Sequence, residues 1–340
     1  MKYFLIICLL LAGFSNADAQ EQTAKLLQET ARTLVQKGDY DNAVLILERA
    51  AKQEPDNVDL LRDLCFANYL KRDFSKAIEV GKEMVEKPNA DQQSFQVLGM
   101  AYKAIASYKE CGKLYRTALR KFPNSGVIYN EYGELNAMDN ELDEAINQWE
   151  KGIEVDPGYS SNYYNATMYH TRKNNPLRAA LYGELFLNLE SYSTRTEEIK
   201  SQLYNVYSKL VTPGTIAQLN KNTTLSAFEK TVLEVFGKAL GTAKTTTATA
   251  DDLVAIRTRF ILEWAQGKQK TFPFRLFDHQ QYLLNQGLFE AYTYWLFGPA
   301  AGEPAYQAWQ TKHPKETEGF KTFQQSRVFK IPTGEYYFSK

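Results

Sequence analysis

The sequence is poor in the residues that build metal sites and disulfide frameworks. Its 340 residues include three cysteines, at positions 8, 65 and 111, and three histidines, at positions 170, 279 and 313. Their spacing matches no pattern that binds zinc or another metal. No nucleotide-binding, serine-hydrolase or metalloprotease motif occurs either. We therefore expect no metal site, no cofactor and no catalytic site.

An excess of charge of one sign is also missing. Lysine plus arginine and aspartate plus glutamate number 40 each, so the formal net charge is zero. A protein that attracts nucleic acid or anionic lipid through its overall field carries a basic excess. The balanced composition predicts a protein that does not bind nucleic acid.

Long hydrophobic runs are confined to the N-terminus. Met1-Lys2 begins the chain, an apolar run extends from Tyr3 to Phe14, and Ala17-Asp18-Ala19 matches a small-x-small cleavage site. This arrangement is typical of a secretory signal peptide over residues 1–19, with Gln20 as the first residue after cleavage. The run is too short for a membrane span. We expect export to the periplasm or the medium without stable membrane insertion; an uncleaved anchor helix is the alternative.

The sequence does contain a period of 34 residues. The turn Lys37-Gly38-Asp39-Tyr40 recurs in degenerate form at this spacing, in units that start at residues 24, 58, 92, 126 and 160. Large apolar residues at helical spacing would fill the space between two helices of each unit. Small residues recur where these helices must approach closely. The pairs are Ala31 and Ala43, Cys65 and Ala77, Gly99 and Cys111, Gly133 and Ala145, and Thr167 and Ala179.

This pattern resembles the tetratricopeptide repeat, a helix–turn–helix unit of 34 residues. The resemblance covers residues 20–193 and implies an all-α fold with an α-solenoid of about five repeats. Cys65 and Cys111 fall at helix contacts, so we expect two packed thiols and not a disulfide. The family's signature positions in the first unit hold Ala31, Gly38, Tyr40, Ala43, Leu47, Ala50 and Pro55.

The chain beyond the repeats is predicted to be helical as well. Residues 194–212 would form a capping helix, since Ile199, Leu203, Val206 and Leu210 make an apolar stripe. Residues 213–340 would form an aromatic-rich helical C-terminal domain. Within it we expect helices over residues 225–240, 251–265, 276–297, 303–312 and 315–325, with Gly298-Pro299 ending the third. Residues 244–250 read as a linker, and residues 328–338 as a strand or an extended tail.

The resemblance implies that the first helix of each repeat lines a concave groove. Its outward positions mix amides, cations, aromatic rings and methionines, which suits a peptide or a helix of a partner protein. A solvent face that binds nothing is the alternative. The carboxylate clamp of some family members is absent, because Gln28 and Arg32 stand at two of its positions. The predicted partner-binding residues are Arg32, Arg62, Phe66, Tyr69, Gln96, Met100, Lys103, Asn130, Tyr164, Met168 and Arg172.

The sequence thus favours a non-catalytic scaffold that binds a protein or peptide, with two alternatives. The stretch from Thr271 to Lys340 is rich in aromatic residues, which could present rings to an envelope glycan, although their helical spacing favours an interhelical core. An uncharacterised hydrolase is the other alternative. Asp278 and His279 are its only adjacent acid and imidazole, and neighbouring helical residues point about 100° apart.

Overall fold

The computed structural model describes residues 23–241 and 248–336, and throughout these residues the regular secondary structure is α-helical. The predicted all-α fold is confirmed. The predicted signal peptide lies outside the described residues. The chain divides into two compact units between Glu141 and Leu142, which we name the N-terminal unit and the C-terminal unit and describe separately. The predicted domain boundaries after residues 193 and 212 stay a prediction.

The N-terminal unit consists of consecutive helix pairs. Helix α1 covers residues 23–36. Each pair packs internally, as α3 does with α4, and successive first helices also touch, as α3 does with α5 and α5 with α7. This is the helix order of an α-solenoid. The further helices are α2 (Tyr40–Gln53), α3 (Val58–Leu70), α4 (Phe74–Glu86), α5 (Gln92–Ala104), α6 (Tyr108–Lys121) and α7 (Gly126–Met138).

The 34-residue period is visible in the backbone. One turn residue in every repeat has a positive φ, between 53° and 79°. Glycine and asparagine adopt this conformation readily, whereas other residues pay about 1–2 kcal/mol. Two of the five positions nevertheless hold other residues, so the close packing of each helix pair overrides the local preference. The five residues are Gly38, Arg72, Ala106, Asn140 and Asn174.

The predicted small residues lie where paired helices approach closely. The thiol of Cys65 donates to the carbonyl of Ala77 at 3.2 Å, and that of Cys111 donates to the carbonyl of Gly99 at 3.6 Å. Both cysteines are free and buried. Burial raises the pKa of the Cys65 thiol to about 12 and that of Cys111 to about 11. The prediction of two packed thiols is confirmed.

The C-terminal unit continues the paired helices and then departs from them. Helix α9 packs on α8 and α10, and α11 packs on α9 and α10 with its predicted apolar stripe buried. Further on, α14 packs on α13, α15 and α16. The helices are α8 (Leu142–Val155), α9 (Ser160–Arg172), α10 (Pro176–Leu189), α11 (Thr194–Leu210), α12 (Pro213–Leu219), α13 (Ala227–Leu240), α14 (Ala250–Gly267), α15 (Arg275–Asn285), α16 (Phe289–Lys312) and α17 (Pro314–Ser326).

Two helix boundaries differ from the sequence-based expectation. Residues 276–297 are not one helix, because the chain turns at Gly287 with φ +69° between α15 and α16. Gly298-Pro299 does not end α16, which continues to a kink at Gly302 with φ +156°. Tyr306 packs against the bare backbone of Gly298, since an added Cβ there would lie 2.3 Å from its ring. Gly302 divides α16 into two helices, and the second of them corresponds to the expected separate helix over residues 303–312.

Smaller segments complete the comparison with the expectation. Helix α12, which was not predicted, begins at Pro213, and Thr212 caps it. The predicted linker falls largely on residues 242–247, outside the described residues. Residues 327–336 form an extended tail without strand pairing, and residues 337–338 lie outside the described part. None of the described helices is long and apolar enough to cross a membrane.

Candidate functional site

Eight of the predicted site residues lie on the first helices α1, α3, α5 and α7 of the N-terminal unit. We name the surface that they share the first-helix face. Its chemistry is set by ion pairs between successive first helices and by apolar side chains among them. The eight residues are Arg32, Arg62, Phe66, Tyr69, Gln96, Met100, Lys103 and Asn130.

At the start of the face, arginines pair with aspartates of the following repeat. Arg32 on α1 donates to Asp63 on α3 at 2.7 Å, and Gln28 donates to the same carboxylate at 2.8 Å. Arg62 on α3 donates to Asp91, the N-cap of α5, at 2.9 Å. Burial opposes the charge of Asp91, but its hydrogen bonds and Arg62 hold its pKa below the usual value. These pairs connect the first helices of repeats one, two and three.

Further along the face, Lys103 lies between two carboxylates. Its Nζ is 2.6 Å from Glu131 Oε2 and 3.0 Å from Glu134 Oε2. Gln96 donates to Glu131 at 2.9 Å, and the buried Asn130 donates to Glu134 at 2.9 Å. Burial lowers the pKa of Lys103, but the two carboxylates outweigh it and the net shift is upward. Lys103 therefore stays charged and joins α5 to α7.

These ion pairs and hydrogen bonds occupy polar side chains that were predicted to contact a partner. The sequence-based interpretation treated Arg62, Gln96 and Lys103 as free to contact a partner, whereas each is paired within the face. Their partners could have been found in the sequence, because the interacting residues are 28 to 35 positions apart, close to one period. We conclude that the polar residues first hold successive repeats in register.

The pairs in the middle of the face expose their negative members. The side chain of Arg62 is 17% exposed, whereas those of its partners Asp59 and Asp91 are 64% and 45% exposed. The side chain of Lys103 is 12% exposed, whereas that of Glu134 is 40% exposed. Glu131 is covered like the two cations, with 7% exposure, whereas Asp59, Asp91 and Glu134 remain exposed. The charge that these pairs present to solvent is therefore mainly negative.

The three predicted apolar residues of the first-helix face differ in how much they contact the hydrophobic core. The rings of Phe66 and Tyr69 stack at 6.2 Å with an interplanar angle of 14°. Tyr69 also contacts Phe74 at 5.9 Å and packs against a hydrophobic cluster of the unit. Phe66 and Met100 are half-buried and belong to neither hydrophobic cluster of that unit. Tyr69 is thus partly structural, whereas Phe66 and Met100 offer apolar surface.

The remaining three predicted residues lie on α9 of the C-terminal unit. The hydroxyl of Tyr164 donates to Glu198 at 2.8 Å, and the Arg195 guanidinium lies 5.0 Å from its ring centroid. Burial and Glu198 raise the pKa of Tyr164 to about 12. Met168 is half-buried, and Arg172 is exposed at the end of the helix.

The C-terminal unit also contains a buried ion pair that the sequence did not predict. Glu184 on α10 and Arg257 on α14 contact each other with side chains 0% and 2% exposed. The same carboxylate accepts hydrogen bonds from Tyr292 at 2.8 Å, from Gln280 and from Tyr207. Burial and the charge of Glu184 raise the pKa of both tyrosines well above the usual value. Both hydroxyls therefore stay protonated, and each donates a hydrogen bond to Glu184.

The guanidinium of Arg257 is enclosed by rings. Its Nη1 donates to Thr293 at 2.8 Å. Four aromatic rings surround the group with centroids 5.1 to 5.5 Å from its central carbon. Burial opposes the charge, but Glu184 outweighs it and raises the pKa of Arg257. This network joins α10, α11, α14, α15 and α16.

The aromatic residues near the C-terminus mostly fill the core, as their spacing indicated. Phe277, for example, contacts Phe260 and Trp264 at 4.9 and 4.8 Å and is buried with them. Tyr282 is an exception in the described residues, with 39% exposure. Few rings therefore offer a flat exposed surface for a sugar.

Asp278 and His279 do not form a pair. Asp278 accepts a hydrogen bond from Gln269 at 2.7 Å. The His279 ring instead contacts Phe323 and Phe329 at 5.8 and 5.0 Å. The acid and the imidazole point to different neighbours, as expected for adjacent residues of a helix.

Replacing Lys103 by Met tests the structural role of the ion pairs. We expect the free energy of unfolding of the N-terminal unit to fall by about 1.5–3 kcal/mol, because Glu131 keeps a nearly buried charge without its partner. Far-UV circular dichroism in urea measures the change. Lys71→Met is the matched control, since Lys71 pairs with the exposed Asp41 on the surface. Equal midpoints for Lys103→Met and wild type would contradict the assignment.

Part of the chain matches a known protein family. The family described as "Tetratricopeptide repeat" matches residues 34–96. This segment contains α2, α3 and α4 and most of the aromatic part of the first-helix face. Comparison with the curated proteins finds no relative.

Several solved structures are similar to the chain. A thermophilic TPR protein of Thermus thermophilus is 16% identical with a TM-score of 0.44, covering 54% of this chain and 98% of that one. The pilF protein of Pseudomonas aeruginosa is 15% identical with a TM-score of 0.47, covering 64% and 98%. MamA (41-end) of Desulfovibrio magneticus RS-1 is 19% identical with a TM-score of 0.40, covering 50% and 96%.

Proposed function

We propose that this chain, whose residues 34–96 match the tetratricopeptide repeat family, is a non-catalytic scaffold whose first-helix face binds a segment of a partner protein. The observation that carries the proposal is the position of Phe66 and Met100. They stand 34 residues apart, at the same position of consecutive repeats, and neither belongs to the two hydrophobic clusters that the unit's described residues form. Half-buried aromatic and thioether side chains of this kind anchor an apolar residue of a partner.

The charges around these anchors define the partner further. The exposed members of the neighbouring ion pairs are Asp59, Asp91 and Glu134, whereas Arg62 and Lys103 are largely covered. A segment that carries lysine or arginine beside its apolar residues is therefore the best fit. Exposed charge pairs contribute at most about 1 kcal/mol each, so they select the partner and the apolar anchors supply the affinity.

We also propose that the chain is exported before it binds its partner. The charged start, the apolar run and the small-x-small site at residues 17–19 support removal of a signal peptide and export. The scaffold would then act in the periplasm or the medium, on an exported partner.

Replacing Phe66 by Ala is the direct test. We expect capture of partner proteins from the native envelope to fall at least tenfold, since truncating an anchor costs about 2 kcal/mol or more of binding. Immobilised protein, followed by mass spectrometry of the retained proteins, measures the change. Tyr69 is less suitable, because it packs against the core and its loss would also lower stability.

Leu45→Ala provides the matched control, because Leu45 is an exposed apolar residue on α2, a second helix. It should retain the same partners as wild type. The sequences of the retained proteins are then tested as overlapping peptides, and those that bind should be basic. Their binding should weaken as the NaCl concentration rises, because salt screens the charges. If Phe66→Ala retains the same proteins in the same amounts, or if the binding peptides are acidic, the proposed face is wrong.

A further inference from the structure

A pocket opens in the C-terminal unit, with about 390 Å³ of space that is partly open to solvent, and it shares no lining residue with the first-helix face. Helix α15 contributes Arg275 and His279, α17 contributes Gln324, and the chain after α17 contributes Arg327. The lining in the described part of the chain includes two arginines, a histidine and amides but no acid.

His279 is the buried polar group of this pocket. It is 6% exposed, and within the described residues its ring nitrogens have no hydrogen-bond partner. Burial and the charges of Arg275 and Arg327 lower its pKa to about 3, so the imidazole is neutral. A neutral imidazole has one N–H donor. Because His279 lines the pocket, this N–H is available to an anionic group of a ligand.

The two arginines are held without carboxylate partners. Arg275 donates from Nε to the carbonyl of Lys330 at 2.9 Å, and its guanidinium lies 5.2 Å from the ring of Phe329. The guanidinium of Arg327 lies 4.5 Å from the ring of Tyr282. Neither forms an ion pair in residues 23–241 or 248–336. Their remaining N–H groups are positioned in advance, and a guanidinium fits a carboxylate through two parallel hydrogen bonds.

The apolar part of the lining consists of three rings. Phe320, Phe323 and Phe329 all border the pocket. Phe320 and Phe323 lie 6.5 Å apart with an interplanar angle of 28°. A flat apolar group can therefore lie against rings on the same side of the molecule as the two positive charges.

We propose that this pocket binds an aromatic carboxylate, with the carboxylate at Arg275, Arg327 and His279 and the ring among the three phenylalanines. A free aromatic acid and the C-terminal residue of a peptide that ends in phenylalanine share this chemistry. The site is separate from the proposed partner-binding face, so either can be wrong while the other is right.

Titration of the full chain with 3-phenylpropionate tests the proposal. Calorimetry or ligand-observed NMR should give a Kd of about 0.1–1 mM, as expected for a ligand of this size. The neutral analogue 3-phenylpropionamide should bind at least tenfold more weakly. Arg327→Gln should weaken binding at least tenfold, whereas Arg49→Gln, which changes an exposed arginine on α2, should leave it unchanged. Unchanged tryptophan fluorescence shows that the variants are folded.

Further ligands distinguish a peptide C-terminus from a free aromatic acid, and they define the results that would overturn the proposal. Acetyl-Gly-Gly-Phe binding more tightly than 3-phenylpropionate indicates a peptide C-terminus, and the reverse order indicates a free acid. Inorganic phosphate that competes as well as 3-phenylpropionate would overturn the aromatic carboxylate. Absence of binding to wild type at 10 mM, or equal binding by Arg327→Gln, would overturn the site itself.

Discussion

Replacing Glu184 by Gln is expected to lower the free energy of unfolding of the C-terminal unit by about 3–5 kcal/mol. Gln keeps the size of the side chain but removes the negative charge that faces Arg257. The guanidinium cannot release its proton, so its charge would stay buried among four rings without compensation. The donors of Tyr207 and Tyr292 would also face an amide in place of a carboxylate.

Tryptophan fluorescence in urea measures this loss for one unit. All four tryptophans of the sequence, Trp149, Trp264, Trp295 and Trp309, follow residue 141, so the signal reports unfolding of the C-terminal unit. Glu234→Gln is the matched control, because Glu234 pairs with Lys238 and Lys268 on the surface of α13. Its unfolding midpoint should equal that of wild type. A Glu184→Gln midpoint as high as that of the control would refute the assignment.

A double variant separates charge from size. Glu184→Gln combined with Arg257→Met removes both charges and leaves an unbranched apolar side chain among the rings. We expect it to regain most of the stability that Glu184→Gln loses, because the unpaired charge causes the loss. If the double variant is less stable than Glu184→Gln, the hydrogen bonds of the network outweigh the charge.

The repeat architecture could be predicted because one packing requirement recurs at a fixed interval. Ala31 and Ala43 stand where two helices nearly touch, and each later repeat places small residues at the same spacing. A sequence period reports such a contact directly. No period relates Glu184 to Arg257, which are 73 positions apart, so their contact could not be read from the sequence.

The errors in the C-terminal unit have a similar cause. Residues 276–297 are apolar at helical spacing on both sides of Gly287, and local spacing cannot show that the chain reverses there. Pro299 was expected to end a helix, and the helix does end nearby, at the non-helical Gly302 and not at Gly298-Pro299. On the first-helix face, the types of side chain were predicted, whereas their ion pairs depend on the register of neighbouring repeats.

Replacing Gly99 by Ala is expected to lower the free energy of unfolding of the N-terminal unit by about 2–4 kcal/mol. An added Cβ would lie 2.0 Å from the hydroxyl oxygen of Tyr115 and 2.5 Å from its Cζ. Tyr115 is fully buried and its hydroxyl donates to Glu131 at 3.2 Å, so the ring cannot move without disturbing the carboxylate that holds Lys103. The clash would therefore also disturb the ion pair of Glu131 and Lys103 on the first-helix face.

Gly112→Ala is the matched control, because it makes the same change in the next helix with a different neighbour. Its added Cβ would lie 3.3 Å from Nη1 of Arg116, the far end of an exposed side chain that donates to the hydroxyl of Tyr132 at 2.9 Å and can shift slightly. Alanine is favoured over glycine in a helix by about 1 kcal/mol, so Gly112→Ala should be neutral or stabilising. Hydrogen exchange of peptides from α5 and α6, read by mass spectrometry, should accelerate about 30- to 900-fold in Gly99→Ala alone. Equal protection from hydrogen exchange in both variants would mean that Tyr115 can move away from α5 and α7. The close helix contact at the small positions of each repeat would then not control stability.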